Sequence, residues 1–184
     1  KIIFKKAKDN THIKNYAEPF SGMARVGVRV MEDDKDKVFK KYMFSDVNDT
    51  IAVFFKALKR GWLPNTNVPT QQQWVAYKKS KSVSAQKSFI GYTLGFGGQY
   101  FGGARVREYR DNKKFAANYL ESKRRYLKKL KPYFTSSKYS FKQKRVFDLD
   151  FKNTVIYCDP PYVATAYRAK KIWDKEKEKR FWNT

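Results

Sequence analysis

Five residues in a row, Thr154-Val155-Ile156-Tyr157-Cys158, form an apolar and β-branched run that stops at Asp159-Pro160-Pro161-Tyr162. A short, uniform run of this kind has the pattern of a buried parallel strand ending at a functional loop. Parallel strands need crossover connections and helices on their faces, so the fold class narrows to α/β. Companion elements can be read upstream. Residues 14–18 read as a short extended segment entering a turn at Pro19-Phe20-Ser21-Gly22, and KYMFS (41–45) reads as a second strand. Ile51, Phe54, Phe55 and Leu58 fall at i, i+3, i+4 and i+7. With Asn48 or Asp49 as N-cap and Gly61 as terminator, they predict a helix over 49–60. Residues 62–70, with two prolines and two asparagines, predict a loop.

Further along, six of the nine glycines crowd into GYTLGFGGQYFGG (91–103), a cluster suited to tight turns and close backbone approach. The spacing of Ala116, Tyr119, Leu120, Tyr126, Leu127 and Leu130 predicts a second helix over 113–131, with Lys123 interrupting its stripe and Pro132 just past its end. The tail 168–180 reads as a solvated helix or loop, and no internal repeat is present. In an open α/β sheet, ligands bind outside the carboxyl ends of the strands. Three loops occupy such ends: 18–24, 46–49 and 159–162.

The last of these carries chemistry. Two prolines stiffen the loop and remove two backbone donors, leaving carbonyls to accept. Asp159 adds a carboxylate and Tyr162 a flat ring. Together they make a cradle for a planar group bearing an NH2. One amine proton goes to Asp159 and the other to a main-chain carbonyl, which lets the nitrogen lone pair leave conjugation and attack an electrophile. The plainer reading is an ordinary Pro-Pro turn. No metal is called for, and the single histidine, His12, and single cysteine, Cys158, exclude multi-cysteine metal sites and any disulfide within the chain.

Charge bears on the partner. The chain has 41 Lys+Arg against 17 Asp+Glu, a formal net charge of +24. Residues 104–145 hold fifteen Lys/Arg and three Asp/Glu, interleaved with Tyr109, Phe115, Tyr119, Tyr126, Tyr133, Phe134, Tyr139 and Phe141. Cations neutralise phosphates and aromatic rings stack on bases, so a nucleic acid is the expected partner. An anionic membrane surface is the weaker alternative. No apolar run is long enough to span a bilayer, and the first ten residues have no secretory pattern, so an intracellular location is expected.

Four blocks together resemble the Dam-like class of DNA adenine-N6 methyltransferases, especially their phage and viral members. In order they are YAEPFSGMARV (16–26), FSDVND (44–49), FIGYTLGFGGQYFGGAR (89–105) and VIYCDPPYVATAY (155–167), continued by Trp173-Asp174 and Phe181-Trp182. The resemblance implies a Rossmann-like sheet that binds S-adenosylmethionine and methylates N6 of adenine in DNA, in a restriction-modification setting or a viral one. It implies a cofactor half (1–61), a basic target-recognition insert (62–145) and a catalytic half (146–184). Glu18, Pro19, Phe20, Gly22, Asp46 and Asp159 then shape the cofactor pocket, with Asp46 on the ribose hydroxyls. Asp159 and the Pro160 carbonyl hold the adenine amine, within a catalytic loop of Asp159, Pro160, Pro161 and Tyr162, and Tyr162 stacks on the extruded base. Tyr100, Arg105, Arg107, Arg110, Lys113, Lys114, Lys123 and Arg124 are the expected nucleic-acid contacts.

The chain departs from this family in places. Gly22-Met23-Ala24 carries less glycine than the family's first motif. Only Asp148 or Asp150 offers the acid expected before the catalytic block. The family's N-terminal and C-terminal segments are expected to be missing, which leaves a sheet edge for a protein partner to cover. Two other readings stand beside the enzyme. One is a non-catalytic nucleic-acid-binding or structural component of a virion or ribonucleoprotein. The other is methylation of RNA or protein amides through a similar loop. On the residues alone, Asp46 is equally a helix cap, and Glu18 a solvated acid beside a turn.

Overall fold

A computed structural model describes residues 2–95, 99–102, 113–160 and Glu176. Four parallel strands form one sheet: β1 (Asn15–Glu18), β2 (Lys41–Ser45), β3 (Tyr139–Lys142) and β4 (Thr154–Ile156). Their spatial order is β3-β2-β1-β4. The chain steps outward from β1 through β2 to β3, then returns to lay β4 on the far side of β1. The order therefore reverses between β1 and β4, which is where open α/β sheets open a crevice for ligands.

Register explains which side chains share a face. Tyr16 pairs with Tyr42, and Tyr42 with Tyr139, so the three tyrosines point to one side. That side is an aromatic core: Tyr16 and Phe39 are fully buried, Phe44 lies 5.4 Å from Tyr139 between ring centroids, and Phe134 lies 5.1 Å from Tyr139. Ala17, Met43, Ser140 and Ile156 share the opposite face. The run 154–158 reads as a buried strand, but β4 covers only three residues, none of them buried, and Ile156 is 39% exposed. The physical reason is position. Among the described residues β4 is an outer strand paired only to β1.

Among the described residues six helices surround the sheet: α1 (Ile2–Asp9), α2 (Arg25–Asp33), α3 (Asp49–Lys59), α4 (Gln71–Lys79), α5 (Ala85–Thr93) and α6 (Lys113–Thr135). Helix α3 follows its apolar spacing, with Ile51, Phe54, Phe55 and Leu58 all buried and the Asn48 side chain accepting from Thr50 N at its start. Phe55 stacks on Phe141 of β3 at 5.3 Å. Helix α6 runs past Pro132 to Thr135, further than expected, because Phe134 is buried against Phe55 and Tyr139. Pro132 and Lys128, one turn before it, are exposed, so the missing backbone hydrogen bond falls on the wet side. Lys59 Nζ donates to the carbonyls of Ser136 (2.6 Å) and Tyr139 (3.0 Å), placing a cation just past the helix C-terminus.

Three further corrections concern organisation. β3 lies inside the stretch read as insert, so the core sheet resumes before residue 145. Gly91, read as part of an irregular cluster, is helical in α5. A Cβ there would stand 2.6 Å from ring carbons of Phe101 and Tyr100, so the glycine serves close packing. Tyr126 is 43% exposed rather than on the apolar side, and its hydroxyl donates to Glu32 (3.2 Å).

Candidate active site at the strand ends

The loops 18–24 and 46–49 lie at the carboxyl ends of β1 and β2 and are tied together, and Asp159 and Pro160, the described part of the third, follow the carboxyl end of β4. After β1, the chain turns through Pro19 to Ala24 with Gly22 at φ +46° and Ala24 at φ +51°. Ser21 N donates to Ser45 O (3.0 Å), Ser45 Oγ to Pro19 O (3.3 Å), and Gly22 N to Asp46 Oδ2 (3.0 Å). Asp46 Oδ1 accepts from Asn48 N (2.9 Å). One carboxylate thus fixes both its own loop and the loop after β1. Burial pushes its pKa above the ordinary carboxylate value, while the N–H groups of Asn48, Gly22 and Val47 pull the other way. Among the described residues nothing stands within 4 Å of where a Gly22 Cβ would be, so space opens in front of this turn.

Glu18 ends β1 and is only 3% exposed, which overturns the solvated-acid reading. Its Oε2 accepts from Tyr16 OH (3.3 Å). Burial pushes its pKa up to about 7, the Asp159 charge pushes it the same way, and the Gly27 N–H and Tyr16 hydroxyl oppose both. Glycine at 27 is required, because a Cβ would collide with the Phe44 ring and Glu18 Oε2. Gly27 escapes a sequence reading fixed on Gly22. The signal for it is Arg25-Val-Gly-Val, one turn into the helix that follows the loop.

Beside Glu18 lies the end of β4. Tyr157 N donates to Ala17 O (2.9 Å), carrying the β1–β4 pairing to the threshold of the loop that begins at Asp159. Asp159 is exposed and Pro160 is buried, while Pro161 and Tyr162 lie outside the described residues. Cys158 is half-buried and its thiol is pushed up by burial, which disfavours the thiolate. Pro19 is buried and Phe20 half-buried in the turn after β1. A groove lined by Phe4, Lys8, Asp34 and Asp36 is bridged by the Lys8–Asp36 ion pair (2.8 Å) and lies at the opposite, amino end of the strands.

The glycine-rich segment reaches this site through Tyr92. Its hydroxyl lies 2.7 Å from Thr50 Oγ1 and 3.4 Å from Asn48 Nδ2, on the residues that carry the Asp46 loop into α3. Tyr100 is half-buried with its ring 5.0 Å from Tyr92 and 4.8 Å from Phe101, as a packing residue would be. Of the basic residues, Lys113 and Lys114 are exposed at the start of α6. Lys123 Nζ sits 5.0 Å over the Tyr119 ring. Arg124 donates through Nε to Pro64 O (3.0 Å) and pairs with Glu121 (3.7 Å), so it pins the 62–70 loop to α6. Arg105, Arg107 and Arg110 lie outside the described residues.

Among the described residues no group of His, Cys, Asp and Glu is arranged to hold a metal ion, and no helix is long and apolar enough to cross a membrane. No family model matches the chain, and no curated protein matches it.

Proposed function

We propose that this chain has an adenine-N6 methyltransferase site, taking its methyl group from S-adenosylmethionine and acting on DNA. The observation that carries the reading is that Asp159, three residues past β4, lies close enough to Glu18, at the end of β1, for its charge to act on it, at the point where the strand order reverses. The residues present suit the cofactor. The Asp46 carboxylate has about four lone-pair sites, keeps acceptor capacity beyond the N–H groups of Gly22, Asn48 and Val47, and faces a turn with open space before it. Ribose hydroxyls are the donors such an acid would take. Bound there, the sulfonium would supply an electrophilic methyl group and leave as a neutral thioether.

The chain's own share of the work is positioning. Asp159, exposed at the loop, would accept a hydrogen bond from the adenine amine, and the Pro160 carbonyl would accept the second. With both N–H bonds drawn outward, the amine lone pair is directed at the incoming carbon, and as the N–C bond forms and the S–C bond breaks one amine proton would be given up to Asp159 and from there to water. Extruding the base costs a few kcal/mol, which phosphate contacts by the basic segment would offset. The test is methyl transfer from labelled S-adenosylmethionine to unmethylated DNA, read as N6-methyladenine by nucleoside mass spectrometry, with Asp159→Ala as the control. Product formed by the wild type and lost in the variant supports the reading. No product while DNA is still bound refutes catalysis. That result would favour a second reading, a methyltransferase-derived component that only binds nucleic acid, which the +24 charge supports.

A further inference from the structure

The aromatic residues of the basic segment divide into two populations. Phe134 and Tyr139 belong to the core, at 1% and 2% exposure, while Phe115 is 52% exposed. Phe115, Tyr119 and Lys123 stand one turn apart on α6 and form a continuous stripe. The Phe115 and Tyr119 rings lie 6.4 Å apart with planes only 6° from parallel, and the Lys123 ammonium stands 5.0 Å from the Tyr119 centroid. Helix α6 docks on the core through Ala116, Leu120, Leu130 and Phe134, with Tyr119 packed partly against it, so the row leads from the edge of the core at Tyr119 out to solvent at Phe115. A half-exposed phenylalanine held parallel to a tyrosine, with a cation at the end of the row, is a surface shaped for something flat.

Charge decides what that is. Helix α6 has eight Lys/Arg and a single acid, Glu121. A membrane would need a broad apolar face, and this one is narrow and studded with cations. A nucleobase brings a flat π-face and a phosphate together. In a duplex both faces of a base are covered by its neighbours, so only an unpaired base offers one. We infer that Phe115, Tyr119 and Lys123 form a stacking platform for an unpaired base, with Lys113 and Lys114 on the adjoining phosphates. The inference rests on the basic segment contacting nucleic acid and is independent of methyl transfer.

The test uses the full 184-residue chain with a short single-stranded oligonucleotide carrying 2-aminopurine, and a duplex of the same sequence. Anisotropy gives affinity over a range of salt, and 2-aminopurine quenching reports stacking. Phe115→Ala is expected to weaken single-strand binding about tenfold and abolish the quenching, with the salt slope unchanged because phosphate contacts remain. Phe115→Trp should restore both. Lys113→Ala should do the reverse, lowering the salt slope while the quenching survives. If Phe115→Ala keeps affinity and quenching, or weakens strand and duplex equally, the platform is overturned while nucleic-acid binding stands. If the wild type binds neither probe at low salt, both ideas fall.

Discussion

Asp46, at the end of β2, accepts the backbone N–H of Gly22 at 3.0 Å and so holds the loop that follows β1. A helix-cap reading of Asp46 does not account for this, because the side-chain cap of α3 is Asn48. Asp46 instead bridges two strand ends. Asp46→Ala should free both loops, lower stability by about 1–3 kcal/mol and abolish binding of S-adenosylhomocysteine. Denaturant melts and titration calorimetry check the two effects separately.

Glu18 gives a pH prediction. Its pKa is raised to about 7 from an ordinary 4.5, so the folded chain holds the proton more tightly than the unfolded one. That contribution to stability is complete below the unfolded value and is lost as pH rises through about 7. Stability should therefore fall by on the order of 2–3 kcal/mol between weakly acid and weakly alkaline pH. Glu18→Gln should flatten that part of the profile, and Asp159→Asn should move its midpoint downward. Denaturant melts across pH read both.

Gly27→Ala places a methyl group against the Phe44 ring and Glu18 Oε2, both of which are buried. A loss of about 1–3 kcal/mol is expected from overpacking. Gly22→Ala meets open space, and its cost comes from the left-handed backbone alone, about 1 kcal/mol. Ranking the two variants by thermal melting tests which glycine the fold depends on more.

These glycines show what was legible. Strand β2 and helix α3 could be read directly, because KYMFS is a compact β-rich run and α3 buries a full stripe of four large residues. Helix α4 was hidden because it buries only Trp74. Its one readable mark was the capping box, in which Thr70 Oγ1 accepts from Gln73 N and Gln73 Oε1 from Thr70 N. Helix α5 was hidden by Gly91, whose value lies in contacts with Phe101 and Tyr100 that no local pattern records. The strand ends were legible because acid and proline punctuate them. The burial of Glu18 was not, because it depends on α2 folding back over β1.

Tyr92→Phe removes the 2.7 Å hydroxyl contact to Thr50 and should cost about 1 kcal/mol of stability. If the Asp46 loop depends on this brace, the affinity for S-adenosylhomocysteine should drop several-fold in the same variant. An unchanged affinity would limit Tyr92 to packing.

Pro132→Ala should stabilise the chain, by up to about 3 kcal/mol, because it restores a backbone donor in the interior of α6 without disturbing the buried Phe134. A rise in melting temperature is the expected result, and a fall would mean that Pro132 itself positions the end of the helix.

The sheet also sets an order of assembly. β1 finds its first neighbour within a few dozen residues, but its other edge waits for Thr154, which pairs with Asn15. Closing so long a loop is slow, and a chain emerging from the ribosome presents the unpaired edge of β1 throughout the synthesis of everything between. Asp159 is thus made more than a hundred residues after Glu18 and Asp46, and the acids of the candidate site come together only once β4 has joined β1. A product that stops between β3 and β4 keeps Glu18 and Asp46 but has an open strand edge prone to aggregation.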